Sequence, residues 1–157
     1  ILRFASALMV ERRKAGDRQW IAQLMAARYG ASVFASKDKQ RDVCELPGFI
    51  ARQAGAPTGL LSYALAGDQC ELVTLDSLVE GSGVGTALLE AVCGFARSEG
   101  CKHLSTLLGN DNLHALGFLQ RRGFRLKAVH PLDTKSAPLI GKNKIPLADR
   151  IELECAL

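Results

Sequence analysis

At 157 residues, 48% apolar, 23% charged and with a net charge of +4, the chain has the size and make-up of one globular domain that buries a core without staples. No uninterrupted apolar run approaches the ~20 residues that span a bilayer, so no membrane association is expected. The basic residues fall in separate short clusters, Arg12-Arg13-Lys14, Arg121-Arg122 and Lys142-Asn143-Lys144, without interleaved aromatics; they read as solvated surface, which argues against nucleic acid while suiting an anionic ligand. Cys44, Cys70, Cys93, Cys101 and Cys155 include no Cys-x-x-Cys pair, and several sit inside apolar patterns. That usage points to a reducing cytoplasm and away from a disulfide framework or a zinc site.

Residues 1–10 carry Arg3 and then Leu8-Met9-Val10. They are too short and wrongly flanked for a signal peptide, and a start without Met reads as processed or trimmed. Asp17 is placed to cap a helix in which Trp20, Ile21, Leu24 and Met25 recur at helical spacing, ending near Gly30. Residues 33–43 have mixed polarity and no firm period; they read as loop with a short element. Phe49-Ile50-Ala51-Arg52 and residues 60–65 read as strands parted by the turn residues Gly55, Pro57 and Gly59. Gly67-Asp68-Gln69 makes the next turn, so residues 70–75 are expected to pair antiparallel with the strand before them.

A strong helix follows: Val84, Ala87, Leu88, Ala91, Val92 and Phe95 fall on one face, and Gly100 is placed to stop it. Residues 102–108 alternate little, as in a strand covered on both faces, and the crossover through the helix implies parallel neighbours. Asn110, Asp111 or Asn112 caps a further helix with Ala115, Leu116 and Leu119 inward, ended by Gly123. Phe124, Leu126 and Ala128 alternate with Arg125 and Lys127, as Ile151, Leu153 and Cys155 do with Glu152 and Glu154; both read as half-buried antiparallel strands. Residues 130–149, punctuated by Pro131, Pro138, Gly141 and Pro146, read as loop.

The junction between the third strand and the strong helix is Glu80-Gly81-Ser82-Gly83-Val84-Gly85-Thr86. Glycines there let backbone N–H groups approach a ligand, and the helix start adds a positive dipole end, which together form a receptacle for phosphate. A P-loop would close on Gly-Lys-Ser/Thr, but Thr86 follows Gly85 directly; a Rossmann turn would place glycine three residues after Gly83, where Thr86 stands. Neither nucleoside triphosphatase chemistry nor dinucleotide binding is therefore indicated.

The same residues, with Asn112-Leu113-His114-Ala115-Leu116-Gly117-Phe118-Leu119 and then Gly123-Phe124, resemble the two helix motifs of the GNAT superfamily of acyl-CoA-dependent N-acyltransferases, across roughly residues 7–156. The resemblance implies an α/β (α+β) GNAT fold: one domain with a mixed, mostly antiparallel sheet of about six or seven strands, flanked by helices, with one splayed parallel pair. It implies acetyl-CoA as co-substrate, its diphosphate on backbone amides of Gly81, Ser82, Gly83, Val84 and Gly85 with Thr86 adding a hydroxyl. The pantetheine arm would lie in the splay, bonded by backbone near Leu75, Leu78 and Val79, with Asn112 and Phe118 on its other side. The activity implied is acetyl transfer to a primary amine of a small molecule or peptide by direct attack in a ternary complex, and a homodimer is compatible with it. Two positions depart from the family pattern. Glu80 stands where Gln or Arg is usual, and Leu119 where many members carry a Tyr that protonates the leaving thiolate.

Transfer from a thioester needs a neutral amine, so something must take a proton from a group that titrates near ~10. Backbone N–H near Leu75 suits the oxyanion, and a thiol of pKa ~8–9 leaves without an acid, so Leu119 does not exclude activity. Glu71 and Asp76 flank the strand that would carry the acyl group and are the candidate bases; the plainer alternatives are a solvated strand-start residue and a turn cap. His103, His114 and His130 read as surface or loop residues, and no metal-ligand spacing is present. Three other readings fit the residues: a CoA-sensing module of this fold without turnover, a nucleotide-binding regulatory domain of another fold, and an interaction domain whose glycines only form a tight turn.

Overall fold

The computed structural model describes residues 7–37, 39–133 and 139–157. Arg3 and Pro138, which entered the reading of the start and of the 130–149 loop, lie outside the described residues. In chain order the elements are β1 (Met9–Arg12), α1 (Arg18–Tyr29), β2 (Val33–Ala35), β3 (Gln40–Asp42), β4 (Gly48–Gln53), β5 (Ala56–Ala66), β6 (Gln69–Ser77), α2 (Val84–Ser98), β7 (His103–Gly109), α3 (Leu113–Arg121), β8 (Arg125–Pro131) and β9 (Asp149–Ala156). Seven strands form one sheet in the order β1-β4-β5-β6-β7-β9-β8, and β2 pairs with β3 as a separate hairpin. Every neighbouring pair in the sheet is antiparallel except β6 with β7, as the crossover through α2 requires.

Strand alternation sends side chains to two cores. Phe49, Leu61, Tyr63, Leu72 and Leu104 pack with Val84, Leu88 and Val92 of α2 and with Leu119 of α3. Ile50 and Leu60, one residue out of phase, pack with Ile21, Leu24 and Met25 of α1. The helical spacing read for α1 and α2 thus marks the faces that bury. Cys70 belongs to the first core, where burial pushes its thiol up to about 12, and all five cysteines are free thiols.

Several elements differ from the sequence reading. β1 and the β2–β3 hairpin were not anticipated as strands; both are short and held by pairing, β1 against β4 and β2 against β3, more than by their own propensity. Asp17 precedes α1 but caps nothing in it. Its carboxylate accepts from Lys14 N–H (2.8 Å) and from Arg52 (2.8 Å), closing the 3₁₀ turn before the helix. The turn between β4 and β5 is tighter than expected, and Pro57 and Gly59 lie inside β5. β8 is not half-buried: Leu126 is 57% exposed, because β8 is the outer edge of the sheet and a bulge at Lys127 breaks its alternation. No β8 side chain belongs to either core.

The face of β7 and β9 that lies opposite α2 is polar. Glu152 of β9 is buried there and receives Lys37 (3.0 Å), His130 (3.0 Å) and, farther off, Lys127 (3.7 Å). Burial alone would raise its pKa; these three partners outweigh that and hold its carboxyl below the ordinary value.

Candidate active site

Beyond Ser77 the chain bends into α2. Gly81 (φ 69°) and Gly83 (φ 79°) hold left-handed backbone, and no atom lies within 4 Å of where a Cβ would stand on either. The hydroxyls of Ser77 and Ser82 donate to Val79 O at 3.0 and 2.6 Å and brace the bend. Gly83 O accepts Ala87 N–H at 3.0 Å, so the N–H groups of Val84, Gly85 and Thr86 find no acceptor within α2 and point outward at its positive end. Glu80 is exposed, free to turn its carboxylate to solvent.

α3 closes on this bend. Its cap, Asn112, accepts Ala115 N–H at 3.4 Å. Phe118 lies so close to α2 that a Cβ on Gly85 would come within 3.0 Å of the ring. Arg122 stacks 3.6 Å from the Phe118 ring centroid, donates to Phe118 O (3.0 Å), and reaches Thr86 Oγ1 from Nε (3.2 Å) and Nη2 (2.7 Å). Among the described residues its partners are neutral, so a fixed guanidinium stands at the head of α2 with no carboxylate among them. The sequence reading assigned Arg122 to solvated surface; its spacing four residues after Phe118, one helical turn, was the available signal.

Opposite the bend, β6 and β7 part. Their parallel pairing ends at Leu72 with Thr106, although the strands continue to Ser77 and Gly109. The splay expected from the resemblance is therefore present, with the β6 edge open from Val73 on. A cavity of about 510 Å³ lies against the end of β6 from Leu75 to Ser77, between the glycine bend, α3 and the end of α1, within the range of small-ligand sites. Of the residues expected at the site, Leu75, Asp76, Val79, Asn112, Phe118 and all six from Gly81 through Thr86 line it. Leu78 does not: its N–H is taken by Thr58 O at 2.8 Å. Lys142 and Asn143 reach the rim because Asp111 accepts Lys142 N–H (2.7 Å) through Oδ2 and Asn143 Nδ2 (3.3 Å) through its backbone oxygen.

The two candidate bases part company. Glu71 is 7% exposed, not solvated; it accepts from Ser36 Oγ (2.5 Å) and Lys37 N–H (3.3 Å), lies within the closed part of the β6–β7 ladder, and does not line the cavity. Asp76 lines the cavity and is 1% exposed. Its Oδ1 accepts from Tyr29 Oη and from Arg28 Nη1 (3.3 Å), while Oδ2 is buried without a partner among the described residues. Arg28 and Tyr29, at the end of α1, also line the cavity and were not anticipated. Leu119 is 3% exposed and belongs to the core.

Residues 18–124 match the model of the acetyltransferase (GNAT) family. This chain belongs to the GNAT family. It is 39% and 36% identical to two uncharacterised proteins of Bacillus subtilis (strain 168), YxbD and YdhI, over 60% and 68% of its length. The matches span 64% of YxbD and 72% of YdhI. Among solved structures it resembles the Bacillus subtilis acetyltransferase in complex with CoA, with a TM-score of 0.76 and 20% identity over 96% of this chain and 99% of that one; at that identity the likeness is one of fold. The mostly antiparallel sheet with one splayed parallel pair is the GNAT fold. Among the described residues no three His, Cys, Asp or Glu side chains come together as metal ligands, and no helix is long and apolar enough to cross a membrane.

Proposed function

We propose that this GNAT-family chain, acting as a single cytoplasmic domain, moves an acetyl group from acetyl-CoA to a primary amine of a small molecule or peptide by direct attack while both are bound. The observation that carries the reading is one cavity that joins the unpaired end of β6, from Leu75 to Ser77, to the unpaired amides of Val84, Gly85 and Thr86. Those amides, the α2 dipole and the Arg122 guanidinium suit a diphosphate. A second cavity, about 410 Å³ and sharing Thr86 and Arg122 with the first, offers room for the nucleoside end. The free β6 edge from Val73 to Ser77 suits the amides of an extended arm, with Phe118 packed beside it. Asp76 is the carboxylate that ends with the amine proton, since Glu71 lies outside the cavity. A Bacillus subtilis neighbour of this fold holds CoA, which supports the cofactor without identifying the acceptor.

The decisive measurement is thermal. Acetyl-CoA at a hundred times its Kd stabilises by about 2.7 kcal/mol, which for a chain of this size raises Tm by roughly 5–10 °C. Gly83→Trp places a ring in the cradle on left-handed backbone and is expected to erase that shift. An unchanged Tm for the native protein at millimolar acetyl-CoA excludes the reading. Thiol release with a set of primary amines then separates an enzyme from a sensor.

The guanidinium yields its own expectation. Hydrogen bonds to charged groups contribute about 1.5–3 kcal/mol, and Arg122 is solvent-facing, so Arg122→Ala is expected to weaken acetyl-CoA about tenfold and to flatten the salt dependence of binding. Calorimetric titration at two ionic strengths checks both; equal affinity for the two proteins removes Arg122 from the site.

A further inference from the structure

We propose that Tyr29 is the residue through which the proton leaves the acceptor amine on its way to Asp76, an inference that rests on the acetyl-transfer reading. Asp76 lines the cavity but is only 1% exposed, and its Oδ2 has no partner among the described residues, so the carboxylate offers an incoming amine almost no accessible surface of its own. Tyr29 is 43% exposed, lines the same cavity and donates its hydroxyl hydrogen to Asp76 Oδ1. Arg28 and Tyr29 both touch the buried carboxylate and the cavity; of the two, only the phenol oxygen has a lone pair to accept a proton while it donates its own, since a guanidinium is donor only.

Two further contacts hold this arrangement. Phe34 of β2 meets the Tyr29 ring edge-on, with centroids 5.2 Å apart and planes at 86°. Arg28 bonds Asp76 Oδ1 at 3.3 Å and Ser77 O at 3.0 Å, tying the end of α1 to the end of β6. The charged groups facing the phenol are Asp76 from β6 and Arg28 from α1; Phe34 from β2 is uncharged. Burial and then the Asp76 charge raise the Tyr29 pKa well above its ordinary value, so the hydroxyl keeps its proton at neutral pH and serves as donor and acceptor together.

The step balances within this set. The amine nitrogen bonds to the carbonyl carbon, and the C–S bond breaks with its electron pair leaving on sulfur. The nitrogen becomes acidic as it bonds, so a carboxylate suffices as final acceptor. Its proton passes to Tyr29 Oη while the Tyr29 hydrogen moves to Asp76. Asp76 afterwards returns the proton to water, and the products are the amide, a CoA thiolate and one solvated proton.

The chain has two tyrosines, Tyr29 and Tyr63, so phenolate absorbance in a Y63F background reports Tyr29 alone. Tyr29 is expected to ionise well above the ~10 of a free phenol, and adding Asp76→Asn is expected to bring it back toward that value. Ordinary ionisation that ignores Asp76→Asn overturns the contact. In thiol release from acetyl-CoA with n-butylamine, benzylamine and glycinamide, Tyr29→Phe is expected to lower kcat about a hundredfold, with the KM for acetyl-CoA within about twofold. A Tyr29→Phe protein that keeps more than a third of kcat sinks the relay and leaves the acetyl-transfer reading standing. Native protein that binds no acetyl-CoA sinks that reading instead. Native protein that binds it yet releases no thiol to any of these amines sinks both.

Discussion

Asp76→Asn is expected to lower kcat for acetyl transfer by about 10²–10⁴, the usual share of a general base, while acetyl-CoA still binds. The substitution keeps shape and volume, and an amide oxygen still accepts from Tyr29 Oη and Arg28 as Oδ1 does. It removes the capacity to take a proton, together with the charge. The loss of charge beside Arg28 is expected to cost little stability, about 1 kcal/mol or less, because the Arg28 side chain is 39% exposed and rehydrates. Glu71→Gln is the informative contrast. Its carboxylate holds Ser36 and Lys37 away from the cavity, so the expected result is a loss of about 1–2 kcal/mol in denaturant unfolding with little change in rate. If Glu71→Gln abolishes turnover and Asp76→Asn does not, the roles assigned to the two carboxylates are reversed and the acceptor does not approach from the α1 side.

What was legible in the residues, and what was not, follows from how far each signal reaches along the chain. α2 was legible because its packing repeats locally: Val84, Leu88 and Val92 recur at helical spacing and are all buried. The glycine bend was legible because left-handed backbone demands glycine at Gly81 and Gly83, whatever the distant contacts. β1, β2 and β3 were missed because three or four residues such as Gln40–Asp42 carry too little pattern; a partner strand makes them strands. The alternation at Leu126 misled because exposure of an edge strand depends on what lies over it. The α1 side of the cavity was least legible of all. Arg28 and Tyr29 fall just before the expected helix end near Gly30 and carry no motif, and their bonds to Asp76 span 48 and 47 residues, a distance across which no periodicity speaks.

Gly59 shows the same limit with a measurable consequence. In the sequence it reads as punctuation between two strands; in the structure it lies within β5, opposite Ser77, with φ outside the left-handed region. Its requirement is space. A Cβ there would collide with Val84 Cγ1 and stand 2.9 Å from Asp76 O and 3.0 Å from Leu88 Cδ1. Val84 and Leu88, one helical turn apart at the start of α2, are fully buried, and a backbone oxygen in β6 cannot move aside without disturbing the strand that carries Asp76. Gly59→Ala is therefore expected to destabilise by about 1–3 kcal/mol through overpacking, lowering Tm by roughly 3–10 °C. It is also expected to weaken acetyl-CoA binding, since any relief moves the start of α2 away from the β6 edge. Gly94→Ala supplies the opposite sign. Gly94 lies inside α2 with nothing within 4 Å of a Cβ, so alanine there is expected to stabilise by about 0.5–1 kcal/mol through helix propensity alone. Denaturant unfolding of both variants decides the matter: if Gly59→Ala is neutral, α2 is not seated on the sheet as tightly as these contacts require, and the geometry of the cradle loosens with it.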